Sequence, residues 1–156
     1  MSHQPDNANL DSWHRYFAIE ANNRAWDLAS KASRTDDELH EMLNLAHASA
    51  MHWSVVGTDQ NVARAKYLVA EVHALAGNGE YSRALTEEVM QFFDIASLED
   101  WEAAYIYTIR AHALSLVGTD DEKVSSYQQA EASVSAISDA EERKIVEQTF
   151  KQISAP

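Results

Sequence analysis

Apolar residues recur along this chain at three- and four-residue steps, the period of helices buried along one face, and no stretch alternates as a half-buried strand does. Leu10, Trp13, Phe17, Ala21 and Leu28 mark a first long helix, with Trp26 on a neighbouring face. Leu39, Leu43, Ala46, Ala50 and Trp53 mark a second, whose small residues from Ala46 to Ala50 permit close helix approach. Val62, Ala65, Val69, Val72 and Ala76 form a third stripe, widened by Leu68 and Leu75. After Gly77-Asn78-Gly79 the spacing resumes at Tyr81, Leu85, Val89, Phe92 and Ala96. The glycines between them supply the positive φ that ends one helix and lets the next fold back. From Trp101 through Ile106, Ile109, Ala113 and Leu116 the pattern is apolar on most sides, which predicts a central helix.

Helix starts punctuate this pattern. Thr35-Asp36-Asp37-Glu38, Thr119-Asp120-Asp121-Glu122 and Ser138-Asp139-Ala140-Glu141 each fit a capping box, in which the hydroxyl accepts from the fourth residue's amide and the carboxylate reaches back. Thr58-Asp59-Gln60-Asn61 and Ser97-Leu98-Glu99-Asp100 are weaker versions, and Gly57 and Gly118 stand just before such starts. Seven helices follow, at roughly 10–32, 35–56, 59–76, 80–96, 98–117, 120–137 and 139–153, with connections too short for anything but antiparallel neighbours. The predicted fold is all-α, one helical domain over residues 10–156 behind a polar, disordered start at 1–9.

Composition supports a protein that folds without covalent or metal help. The 156 residues include four glycines and two prolines, Pro5 and Pro156, so the interior is free of helix breakers. There is no cysteine, which removes disulfides, thiolate chemistry and Cys-based metal sites. A polar beginning without a basic, apolar leader predicts no secretory signal, and no stretch is apolar enough to cross a bilayer, so the expected location is cytoplasmic. A formal charge of −13 repels phosphate backbones and anionic headgroups, which argues against nucleic acid and membrane partners.

Internal similarity adds organisation. Val72-His73-Ala74-Leu75 recurs as Ala111-His112-Ala113-Leu114, and Ser54-Val55-Val56-Gly57-Thr58-Asp59 is echoed by Ser115-Leu116-Val117-Gly118-Thr119-Asp120. Repeats of this length belong to solenoids of helix hairpins. Gly79-Glu80-Tyr81-Ser82-Arg83-Ala84-Leu85 resembles the start of the second helix of a tetratricopeptide repeat, where a small Ala lets that helix lie close against the first. The resemblance covers roughly residues 59–137 and is degenerate: the period is longer than that family's, Lys123 or Val124 stands at the position matching Ala84, and no proline closes either unit. It implies a tetratricopeptide-like α–α superhelix. The segments around Ala21-Asn22-Asn23, His52-Trp53-Ser54-Val55-Val56-Gly57-Thr58 and Asp100-Trp101 also resemble a group of uncharacterised small bacterial helical-repeat proteins, which implies a fold and no activity.

Candidate chemistry rests on histidines. His40 and His47 share a helix face with Asp37 and Asn44, but two turns separate the rings by roughly 10 Å, too far for one ion, so no metal or other cofactor is assigned. His73 and His112 occupy matching repeat positions, which in tetratricopeptide-like folds lie on the concave groove. With Lys66, Tyr105, Thr108 and Ser115 they would make a hydrogen-bonding row, and Trp101 would stand at its rim. The bland alternative is that each histidine is a spacer between packed helices. Glu71, set among apolar residues, needs a partner, and the repeat register nominates Arg110 or else Arg64. Motifs of di-iron bundles, HExxH zinc enzymes, GxSxG hydrolases, phosphate-binding loops and Rossmann folds are absent. The expected function is therefore a non-catalytic scaffold that holds a neutral or basic peptide or protein in its groove. The alternative is a helical bundle that binds a small molecule or metal, with or without catalysis, through His47, His52, His73 and His112.

Overall fold

The computed structural model describes residues 9–156. The disorder expected at the start falls outside them except at Asn9, which caps the first helix by accepting from the Ser12 amide at 3.1 Å. The helices are α1 Leu10–Ala29, α2 Asp36–Val56, α3 Asp59–Leu75, α4 Gly79–Phe92, α5 Asp100–Val117, α6 Asp120–Ser135 and α7 Ala140–Phe150, with one 3-10 turn, Ile95–Ser97, between α4 and α5. No strand occurs among the described residues, and no helix is long and apolar enough to cross a membrane.

Three of the five expected caps form as complete boxes, Thr35 with Glu38, Thr58 with Asn61 and Thr119 with Glu122. Thr58 completes its box because the Asn61 carboxamide oxygen accepts from the Thr58 amide at 3.0 Å just as a carboxylate would. Ser138 does something else. Asp139 caps α7, accepting from the Glu141 and Glu142 amides, while Ser138 donates its amide and hydroxyl to Asp100 and ties the α6–α7 link to the first turn of α5. Ser97 lies in the 3-10 turn, and α4 ends at Phe92 because the backbone becomes extended at Phe93, which turns into the core.

Consecutive helices pack on one another, and the odd-numbered ones also touch in series: α1 with α3, α3 with α5, α5 with α7. As expected, α5 is central, packed on α3, α4, α6 and α7. Gly77 ends α3 with φ +83°, and a Cβ on Gly79 would come within 2.6 Å of Val117, so glycine lets α4 start hard against the end of α5.

Two buried faces differ from expectation. On α1 the core side is the small-residue stripe Ala18, Ala21, Ala25 and Ala29, while Leu10 and Phe17 are exposed. That stripe lets α2 approach closely enough for Ser49 Oγ to donate to the Ala18 carbonyl at 2.8 Å. On α4 Val89 is buried as expected, but its buried companions are Gly79, Ser82 and Thr86, while Leu85 is half-buried and Tyr81 and Phe92 of the expected stripe are exposed. Hydroxyls can be buried here because they find carbonyls: Ser82 donates to Ala70 on α3 and Thr86 to Ser82, both at 2.7 Å. The small residue that seats α4 on α3 is thus Ser82, and Ala84 faces solvent.

Candidate functional site

A hollow of about 710 Å³ opens between the turn after α1, the end of α3, the second half of α5 and the end of α7. Its size lies within the range of ligand sites. Arg34, His112, Ser115, Gln148, Lys151 and Gln152 line it. A second hollow of about 350 Å³ shares Ser30 and Gln148 with the first and carries the aromatic residues Trp26, Tyr67, Trp101 and Tyr105, with Ile145 on its edge. The two hollows meet at Ser30 and Gln148, one mostly polar and the other aromatic, and together they are termed the trough.

Each end is held by buried polar contacts. At the polar end His112 Nδ1 lies 2.9 Å from Glu71 Oε1, the carboxylate fully buried and the imidazole nearly so. Burial alone lowers the affinity of His112 for its proton, but the charge and hydrogen bond of Glu71 outweigh it and raise the pKa above 6.5. This corrects the expected partner of Glu71: Arg64 instead holds Glu102, through Nε at 2.7 Å and Nη2 at 3.0 Å, and Arg110 reaches only Gln129 at 3.5 Å. Arg34 donates to the Leu28 and Ala29 carbonyls that end α1, to the Lys31 carbonyl in the turn after it, and to Gln152, which itself donates to the Ala29 carbonyl, so the turn after α1 is laced to the end of α7. At the aromatic end Trp26 meets Tyr105 edge-on with centroids 5.1 Å apart, and the Tyr105 hydroxyl bonds that of Thr149 at 3.0 Å. Burial pushes the Tyr105 phenol up to about 12.

Of the seven residues nominated from sequence, the trough brings together Trp101, Tyr105, His112 and Ser115. Thr108 lies on the same helix but is fully buried, its hydroxyl without a protein partner. Lys66 lies elsewhere, paired with Glu88 of α4 at 2.6 Å. His73 faces another side, where its Nε2 sits 2.8 Å from His47 Nε2, its Nδ1 accepts from Asn78 at 3.0 Å, and Tyr81 packs edge-on against the ring. The matching repeat positions diverge because α5 has a neighbour at both flanks and buries His112, whereas the end of α3 leaves His73 half-exposed. Arg34, Lys151 and Gln152 escaped sequence reading, since they lie in a turn and past the last helix, where no periodicity marks a facing side.

Among the described residues four histidines form two separate pairs. His14 and His52 approach at 2.8 Å between α1 and α2, as His47 and His73 do between α2 and α3. No group of three or more His, Cys, Asp or Glu able to hold a metal occurs among the described residues. With Asn78 as donor, the His73 proton sits on Nε2 and points to His47, a neutral arrangement. Burial and the facing imidazole lower the pKa of both His52 and His73. The unfolded chain then takes up protons that the folded one refuses, so stability is lost as pH falls from about 6.5 through the lowered values. Chemical denaturation at steps between about pH 7 and pH 5 should show a smaller loss for a His52→Gln/His73→Gln variant than for the parent. Equal losses would remove the pairs from the acid response.

Compared with known proteins, the chain matches no family model, no curated protein and no solved structure.

Proposed function

We propose that the protein is a non-catalytic binding module, a degenerate tetratricopeptide-like stack of antiparallel helix hairpins that takes an extended peptide segment of another protein into the trough. The serial contact of α1, α3, α5 and α7, with even-numbered helices flanking, supports the stacking. The observation that carries the binding is the meeting of the two hollows at Ser30 and Gln148: an aromatic end able to bury an apolar side chain adjoins a polar end rich in donors. A catalytic role is disfavoured by Ser115, the lining hydroxyl on the same helix as His112, which donates to the His112 carbonyl at 2.6 Å and is not presented to the ring.

The acidic surface still favours a partner that is neutral or basic as a whole and disfavours nucleic acid, through long-range attraction that weakens as salt rises. Direct contacts in the polar end, lined by Arg34 and Lys151, are of the opposite sign. Ile145 is 56% exposed at the edge of the aromatic end, so Ile145→Arg blocks the trough without opening the core. Peptides selected from a displayed random library on the full chain should share a pattern and lose more than about tenfold in affinity on Ile145→Arg, measured by fluorescence anisotropy. Selected peptides that bind parent and variant equally would place binding elsewhere.

A further inference from the structure

The polar end of the trough opposes the charge of the rest of the molecule. The chain has 25 Asp and Glu against 12 Lys and Arg, yet Arg34, Lys151 and His112 line this hollow and no carboxylate does. We infer that it binds a single oxyanionic group, a carboxylate or a phosphate, and that binding draws a proton onto His112; the inference rests on the trough being the binding surface.

The geometry gives each group a part. A protonated imidazole donates from both nitrogens. Glu71 occupies Nδ1, so Nε2 is the donor left for a ligand in the hollow that His112 lines. Arg34 is anchored by the α1 carbonyls and Gln152, which use Nη1 and one hydrogen of Nη2; its Nε–H and remaining Nη2 hydrogen stay available on a side chain already ordered. The Lys151 side chain is 74% exposed and lies 3.8 Å from Glu147, loose enough to turn toward an anion. The charge of Arg34 opposes protonation of His112. An oxyanion between them replaces that repulsion by attraction to both, which couples occupancy to proton uptake, and the coupling is reciprocal. The charges facing His112 are Glu71 from α3, Arg34 from the turn after α1 and Lys151 from the end of α7. On α6, Lys123 lines a neighbouring hollow with Ser115; on α4, Arg83 and Glu87 line one with Arg110.

The test titrates the full chain with N-acetyl-phenylalanine, its uncharged amide and inorganic phosphate, at about pH 6 and about pH 8, following heat and the His112 ring shift. The carboxylate should bind at least about tenfold tighter than the amide, and its affinity should fall about tenfold from the lower pH to the higher. The His112 ring should titrate at higher pH when the site is occupied, and Lys151→Gln should weaken the carboxylate about threefold. A Glu71→Gln/His112→Gln variant keeps a neutral hydrogen-bonded pair and should bind weakly and equally at both pH values. Should that variant unfold, the ring titration in the parent decides alone.

Absence of binding by both anions, equal affinity for carboxylate and amide, or a His112 titration indifferent to ligand would overturn the oxyanion site. If the amide matches the carboxylate and Ile145→Arg weakens both, the trough stands and the anion site falls. If the carboxylate binds with the stated pH dependence while Ile145→Arg leaves selected peptides untouched, the anion site stands and the peptide reading falls.

Discussion

His112→Ala should lower the unfolding free energy by about 3–5 kcal/mol, because it strands the Glu71 carboxylate in the core with no partner. Glu71 is 0% exposed, and its second oxygen already lacks a protein hydrogen bond. Removing the imidazole therefore leaves an uncompensated buried charge, a larger loss than a cavity of that size. The pH dependence has a definite sign. A histidine whose folded pKa is raised contributes stability that is fully present below the unfolded value near 6.5 and is lost as pH rises through the folded one. Urea unfolding of the parent should lose this contribution on the alkaline side, and the Ala variant should show no such loss. His52 and His73 act in the opposite direction on the acid side, so the histidines together favour a stability maximum near neutrality. A loss below about 1 kcal/mol, the size of an ordinary surface change, would show that Glu71 is not held as described.

The second large effect belongs to Arg64→Ala, with an expected cost of about 2–4 kcal/mol. Glu102 is 2% exposed and takes two hydrogen bonds from the Arg64 guanidinium, with the Tyr67 hydroxyl a distant third at 3.4 Å. The Arg64 side chain is itself 40% exposed, so water reaches its end of the pair and keeps the cost below that of a fully enclosed one. Lys66→Ala, two residues on, is the matched control: its partner Glu88 is 57% exposed, and the loss should stay within about 1 kcal/mol. Arg64→Lys should recover little, since one ammonium cannot reproduce the two-pronged contact. Similar midpoints for the Arg64 and Lys66 variants would show that Glu102 finds water in place of the arginine.

The local signals held where a residue's role is settled by its chain neighbours. Thr35, Thr58 and Thr119 cap helices because the amides they accept from are three residues ahead, and Gly77 ends α3 because only its own backbone must take a positive φ. Helix number, class and the central position of α5 were legible for the same reason, as periodicity reports how many faces of a helix are covered. The trough was legible in part, since Trp101, Tyr105, His112 and Ser115 share α5 and a helix fixes which of its residues look the same way.

What the tertiary structure alone decided is who meets whom across the chain. Hydrophobic period could not distinguish the alanine face of α1 from its aromatic one, because closeness of approach, and not apolarity alone, selects the buried side when α2 presents Ser49. Glu71 had three chemically adequate partners in Arg64, Arg110 and His112, and the relative rotation of α3 and α5 chose the histidine. His73 and His112, equal in sequence position, became a half-exposed imidazole pair and a buried acid–base pair, since α5 is packed on by α3, α4, α6 and α7 and the end of α3 is not. The cationic lining of the trough has the same origin: Arg34 and Lys151 stand 117 positions apart and come together only when the end of α7 docks against the turn after α1.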